Sequence, residues 1–263
     1  MSRAILQTNE YDRFLEAVSA AKHRVLLLDY EGTLARLRTD REFAFPCASI
    51  PHLLRRMMAR TRLIMVSGRS AGEVRSLLGL NPPPEIWGTQ GLERLCPDGT
   101  YEAPLLTKEA SLALAQAEDQ LRRERLMHLV ETRPGALSLH WKALPATEIL
   151  EIRRKIFNVL GPLALRTGLL LVEFDGGINI HLRSPSKADV VRTILAEVER
   201  DVPVAYLGND TTDENAFRAL NGRGLTVLIS TRYRFTAAQL WLKPPEELAQ
   251  FLTAWINASG AGL

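Results

Sequence analysis

Cysteine is scarce in this chain. Cys47 and Cys96 are the only two in 263 residues, too far apart for a metal or thiol–disulfide motif. Two stray thiols suit a reducing cytosol, so the expected location is cytoplasmic. Long apolar runs are also missing: none approaches the roughly 18 residues of a spanning helix. The opening MSRAILQTNEYDRF carries acids early and lacks the apolar stretch of a signal peptide. Nor does charge of one sign dominate. Thirty-three Lys and Arg face 30 Asp and Glu, a net +3, too small and dispersed an excess to draw nucleic acid or a membrane surface. No Gly-x-Gly-x-x-Gly follows the first strand-like run, which argues against a dinucleotide-binding oxidoreductase. There is no internal repeat and no low-complexity tract. What remains is an ordinary globular composition, 46% hydrophobic and 24% charged. A chain of this length holds one large domain or a core with a smaller partner.

The apolar pattern organises that length. Residues 8–22 have helical spacing through Tyr11, Phe14, Leu15 and Val18. RVLLLD (24–29) reads as a buried parallel strand ending in a carboxylate. A helix over 49–60, a strand at 63–67, a helix with a Ser70/Glu73 capping box ended by Gly79, and a strand at 86–88 follow. Strand and helix in alternation predict a parallel sheet. From about residue 105 the rhythm changes to helix (107–124), LMHLVETR and ALSLHW, then helix (147–160, stopped by Gly161), LLLVEF and INIHLR. Alternating strands around tight turns are antiparallel signals. The sheet resumes with a helix capped by Ser186 and Asp189, strands at 203–208 and 225–229, and a last helix over about 245–256. The fold class expected is α/β: a doubly wound, Rossmann-like core over 1–104 and 184–263, interrupted by an α+β insert at 105–183. Pro104 and Ser184-Pro185 are its expected hinges.

In an open parallel sheet, ligands bind beyond the carboxyl ends of the strands. Three such ends carry reactive residues: Asp29, Ser67, and Asn209-Asp210-Thr211-Thr212-Asp213-Glu214, with Lys187 at a helix start facing the same sheet. A carboxylate, a hydroxyl, a cation and an acidic cluster in one crevice suit phosphoryl transfer. The carboxylate attacks phosphorus, and a hard divalent cation offsets the repulsion between two anions. Lysine and loop amides hold the phosphate oxygens.

Four stretches resemble the motifs of haloacid-dehalogenase phosphatases: D-Y-E-G-T-L-A (29–35), V-S-G-R-S (66–70), Lys187 and Y-L-G-N-D-T-T-D-E-N-A-F (206–217). G-T-Q-G-L-E (88–93), S-L-H-W-K (138–142) and the terminal W-L-K-P-P-E-E-L narrow the resemblance to the trehalose-6-phosphate phosphatase family. It implies Asp29 as nucleophile and Mg2+ ligand, and residue 31 as general acid/base with its carbonyl toward the metal. It implies a phosphate site of Thr33, Ser67, Gly68 and Lys187. Asn209, with Asp210 and Asp213 nearby, would complete the magnesium shell. Gln90, Glu93, His140, Lys142, His181 and Arg183 are the implied sugar contacts, several of them on a cap formed by the insert. The partner implied is a small sugar phosphate, and a monomer suffices.

The chain departs from that pattern. Glu31 and Asn209 stand where the family has Asp, Gln90 where it tends to have His, and His181 where an acid is expected. The extra methylene of Glu31 moves its carboxyl by about 1.5 Å, and an amide at 209 brings no charge to the metal. These departures leave three readings open: an active trehalose-6-phosphate phosphatase, an active phosphatase of another sugar phosphate, or a weak or inactive relative that binds a sugar phosphate or a partner protein.

Overall fold

The computed structural model describes residues 8–36, 40–102, 108–133, 135–141, 144–174, 176–181 and 186–260. The chain divides into two compact units, Met1–Glu102 with Pro185–Leu263, and Ala103–Ser184. The hinges expected at Pro104 and Ser184-Pro185 lie outside the described residues, as do Lys142 and Arg183.

In the first unit the chain runs α1 (Thr8–Ala20), β1 (Val25–Asp29), α2 (Ile50–Met58), β2 (Arg62–Val66), α3 (Ala71–Leu78), β3 (Glu85–Gly88), β4 (Glu93–Leu95) and β5 (Tyr101–Glu102). The second unit holds α4 (Lys108–Arg123), β6 (Val130–Arg133), β7 (Ala136–His140), α5 (Ala146–Thr167), β8 (Leu170–Phe174) and β9 (Gly177–His181). The first unit then resumes with α6 (Lys187–Glu197), β10 (Val204–Gly208), α7 (Asp213–Leu220), β11 (Leu225–Ile229), β12 (Leu240–Leu242) and α8 (Glu246–Ala258).

The main sheet has the order β12-β11-β10-β1-β2-β3-β4-β5. Pairing from β12 to β3 is parallel, and β4 and β5 extend it antiparallel. The largely apolar runs of β1, β10 and β11 follow from burial on both faces. Leu26 and Leu28 point into a core with Ile50, Leu54, Phe251 and Trp255 of α2 and α8. Val25 and Leu27 point the other way, among Val190, Ile194, Phe217 and Leu220 of α6 and α7. β1 pairs with β2 on one side and with β10 on the other, so the topology switches direction at β1. Open α/β sheets bind ligands at such a switch point, and Asp29 and the loop after Gly208 both lie there.

In the second unit the sheet order is β6-β7-β9-β8, antiparallel throughout. Leu137, Leu139, Ile178 and Ile180 share a core with Ala117, Leu121, Ile156 and Leu160 of α4 and α5. The second helix does not stop at Gly161 as expected. α5 continues through Gly161 and Pro162 to Thr167 and ends at Gly168, whose left-handed φ of +75° suits glycine. A helical glycine costs only about 1 kcal/mol. The buried stripe Ile152, Ile156, Leu160 and Leu163 runs straight across the pair, so packing overrides the local signal. Among the described residues no helix is long and apolar enough to cross a membrane.

Candidate active site

Asp29 closes β1 and is 3% exposed. The chain turns at once behind it: Leu34 and Ala35 amides donate to the Tyr30 carbonyl, and the buried Tyr30 hydroxyl donates to Ala44 O at 2.8 Å. Gly32 makes the turn possible. Its φ is +84°, and a Cβ there would collide with the side chain of Asn209. The motif after β1 and the motif after β10 therefore touch at a position only glycine allows. Thr33, brought back by the turn, donates from Oγ1 to Asp29 Oδ2 at 3.0 Å.

Lys187 is the first residue of α6, whose start is held by Asp189 Oδ2 accepting from Ser186 N and Oγ, both at 2.8 Å. The ammonium, 3% exposed, donates to Asp29 Oδ1 at 2.7 Å and to Asp213 Oδ1 at 2.8 Å. Burial pushes the Asp29 carboxyl up to about 7; Lys187 opposes the shift and Asp213 adds to it. Burial alone would lower Lys187, but Asp213 and Asp29 outweigh it and hold the lysine above its ordinary value, charged.

Asp213 is filled. Its Oδ1 accepts from Lys187 and Tyr206 Oη (2.7 Å), and its Oδ2 from the amides of Asn209 (2.8 Å) and Asp210 (3.0 Å). A carboxylate has about four acceptor sites, so Asp213 stands behind the loop and offers no open oxygen to a metal. Asp210 caps α7, accepting from Thr212 N and Oγ1 and from Asp213 N. Burial pushes Asp210 up, but Lys187 and these hydrogen bonds outweigh it and leave the carboxyl below its usual range.

Ser67 follows Val66, the register partner of Asp29, so it sits at the same end of the sheet. Arg69 N donates to Ser67 Oγ, and the Ser67 and Arg69 carbonyls accept from Gln90 N and Thr89 N at 2.8 and 2.7 Å. Those bonds dock a strained turn on the second motif: Thr89 (φ +48°) and Gln90 (φ +63°) are both left-handed without being glycine. The Gln90 amide lies over Gly68. Glu93 is buried, its oxygens accepting from Thr89 Oγ1 and Tyr101 Oη at 2.6 Å each, so it anchors the turn. Arg69, which no sequence signal singles out, is fully buried and donates from Nη2 to Glu31 Oε1 at 2.6 Å. Tyr206 is likewise unmarked, hidden in the apolar strand β10.

In the second unit, His140 and His181 fall on one face of the sheet by alternation and register. The same face carries Glu131, Arg133, Ser138 and Asn179, none of them expected. His140 Nε2 lies 3.0 Å from Glu131 Oε2, and Ser138 Oγ donates to Asn179 Oδ1 at 2.7 Å. Trp141 points to the opposite, core side.

Among the described residues no three His, Cys, Asp or Glu side chains cluster so as to hold a metal alone. Mg2+ needs less, since it binds one or two carboxylates and keeps waters and substrate oxygens in its shell. Asp29, the Glu31 carbonyl, the Asn209 amide and Asp210 make an all-oxygen donor set that fits such an ion.

A sequence profile of the family described as Trehalose-phosphatase matches residues 27–234. The chain is 30% identical over 240 residues to the trehalose-phosphate phosphatase of Mycobacterium ulcerans (strain Agy99), covering 86% of this chain and 60% of that protein. It thus spans about three fifths of the length of the curated relatives it matches. Among solved structures it resembles the Aspergillus fumigatus trehalose-6-phosphate phosphatase, with a TM-score of 0.69 and 19% identity over 94% of this chain and 97% of that one. It also resembles the C-terminal domain of the C. albicans trehalose-6-phosphate phosphatase, with a TM-score of 0.73 and 16% identity over 98% and 99%. At these identities the likeness shows the fold: a parallel-sheet core with an α+β insert, as the sequence led us to expect.

Proposed function

This chain belongs to the trehalose-phosphatase family, and from that premise we propose that it is a Mg2+-dependent phosphatase of a sugar phosphate, with trehalose 6-phosphate as leading substrate. The observation that carries the proposal is the lysine bridge. One buried ammonium lies within 2.8 Å of a carboxylate from β1 and of another from α7, which brings the nucleophile, the cation and the loop after β10 together at one end of the sheet.

In the proposed reaction Asp29 attacks phosphorus and the ester P–O bond breaks. The departing sugar oxygen takes the proton of the Glu31 carboxyl. Water then attacks the phosphorus of the aspartyl phosphate, and the Glu31 carboxylate takes the proton of that water. The bond to Asp29 breaks, releasing inorganic phosphate. Thr33, Ser67, the Gly68 amide and Lys187 hold the phosphoryl oxygens, where the charge of the transition state is spread. Asp29, the Glu31 carbonyl and the Asn209 amide, with Asp210 at hand, would hold Mg2+, which would offset the repulsion between carboxylate and phosphate and keep Asp29 ionised. Residues 1–104 and 184–263 are the catalytic core in this reading. The insert at 105–183 is a cap that recognises the sugar through His140, Lys142, His181 and Arg183. Cys47 and Cys96 are free thiols, in keeping with a cytoplasmic location.

The test is phosphate release from trehalose 6-phosphate and from an aryl phosphate, with and without Mg2+. Release from both, lost in Asp29→Asn, is the expected result. Sugar-phosphate binding without release from any ester would identify an inactive binder. Turnover of other sugar phosphates but not the trehalose ester would reassign the substrate.

A further inference from the structure

We infer that Arg234 is a positioning residue for the loop that carries Asn209 and Asp210. The inference rests on the function proposed above, because it concerns how that loop meets the metal and the phosphate. Arg234 lies between β11 and β12, more than twenty residues beyond the loop, in a stretch with no motif of its own. Its guanidinium nevertheless reaches back. Nη2 donates to Asp210 O at 2.7 Å and to Asn209 O at 3.3 Å, while Nη1 donates to Glu214 Oε1 and to Phe235 O.

Peptide geometry makes this grip specific. In a trans peptide the carbonyl of residue 209 and the amide of residue 210 lie in one plane and point in opposite directions. Arg234 holds that carbonyl, and Asp213 Oδ2 holds that amide at 3.0 Å. The plane is clamped from both sides and cannot rotate without breaking a charge-assisted bond at one edge. Its neighbours are held the same way, through Asn209 N on Asp213 and Asp210 O on Arg234. With the backbone fixed, the Asn209 side chain is kept against Gly32.

Glu214 in turn anchors the clamp. Its Oε1 also accepts from Thr236 Oγ1 at 2.8 Å, and its Oε2 from Ala237 N at 2.7 Å. The whole 234–237 segment is thereby tied to the first turn of α7. A bare ion pair of Arg234 with Glu214 would add only local stability. The two carbonyl bonds point instead to the loop's orientation, and only a planar fork with several donors can make them together with the pair.

The test follows Mg2+ binding directly. Thermal unfolding of the full chain is measured against Mg2+ concentration for wild type, Arg234→Ala and Arg234→Lys, with phosphate release recorded alongside. In Arg234→Ala the Mg2+ concentration giving half the stabilising shift should rise by about tenfold, the usual scale when a group orienting a metal ligand is removed. Arg234→Lys should recover part of the loss, since an ammonium can reach one carbonyl but not the whole set. The rate constant kcat should fall with Mg2+ affinity while KM changes less. If Arg234→Ala melts lower yet answers Mg2+ as wild type does, Arg234 merely stabilises the fold; the inference is overturned and the proposed function stands. Should Arg234→Ala fail to fold, Arg234→Lys decides, and an unchanged Mg2+ response in it overturns the inference. A wild-type protein that neither shifts with Mg2+ nor releases phosphate would sink the proposed function, and this inference with it.

Discussion

Arg69, from the turn after β2, and Glu31, from the turn after β1, form an ion pair, Nη2 to Oε1 at 2.6 Å, with the arginine 1% exposed. A buried arginine is held rigidly, so the glutamate that replaces the family's aspartate has its longer side chain fixed at the tip. Glu73 lies 3.6 Å from the other terminal nitrogen, and Nε has no hydrogen-bond partner among the described residues. Glu31 is the nearer of the two carboxylates to that cation.

Glu31→Gln keeps the length and removes proton transfer, so kcat should fall by about 100- to 10,000-fold. Glu31→Asp pulls the carboxyl back by about 1.5 Å and leaves the buried guanidinium without its near partner, so the rate should fall as well. Steady-state kinetics check both. A faster Glu31→Asp enzyme would mean that the contact with Arg69 does not place the acid.

Removing the central cation should damage folding and turnover together. Lys187→Met leaves Asp29 and Asp213 buried without their shared partner, and breaking one side of a buried ion pair costs about 3–5 kcal/mol. Urea unfolding should show a loss on that scale, with no detectable phosphate release. Asp29→Asn, which relieves charge in the same place, should abolish release while unfolding near the wild-type midpoint. Equal stability of wild type and Lys187→Met would contradict the reading of Lys187 as the bridge.

Much of this site was legible in the sequence. Asp29 and Asn209 end buried apolar runs, the Ser70/Glu73 and Ser186/Asp189 signatures marked two helix starts, and the switch to alternating strands marked the insert. Other parts left no signal. β4, β5 and β12 have two or three residues each, too few for a period. Pro162 and Gly161 argue against a helix that tertiary packing nevertheless continues. Thr89 is β-branched, a type that disfavours a φ of +48°, so its turn is imposed by bonds to Arg69, Ser67 and Glu93. Arg69 and Arg234 act through partners distant in sequence, and residue type alone does not reveal a partner.

Asn209 is the departure with the plainest metal test. Asn209→Asp adds a carboxylate beside Asp29 and Asp210, so the metal-free protein should melt lower than wild type. Mg2+ should then raise the midpoint more than in wild type, and half-saturation should move to lower Mg2+ concentration. Chelation by EDTA should stop phosphate release in both proteins. A variant that answers Mg2+ just as wild type does would remove position 209 from the metal site.

Glu214 gives a pH prediction. Burial pushes its carboxyl up, but Ala237 N, Thr236 and Arg234 outweigh burial and hold it below its ordinary value. A depressed folded pKa means that the unfolded chain binds the proton first. The contribution is therefore complete above the ordinary glutamate range and is lost as pH falls through the depressed folded value. Glu214→Gln should be less stable than wild type near neutral pH, and the gap should close on acidification. Denaturant midpoints at several pH values measure it; a gap that is constant with pH would show that ionisation of Glu214 contributes nothing.

Gln90 separates strain from function. Its φ of +63° costs a non-glycine residue roughly 1–2 kcal/mol, part of which glycine returns through its freer unfolded chain. Gln90→Gly should therefore stabilise the fold by about 1 kcal/mol. The side chain removed is the one lying over Gly68, next to the serine proposed to hold phosphate. Activity toward the sugar phosphate should fall even as the melting temperature rises, with KM more affected than kcat. A variant both more stable and fully active would show that the left-handed turn is retained for packing alone, and that the amide over Gly68 contributes nothing to binding the substrate.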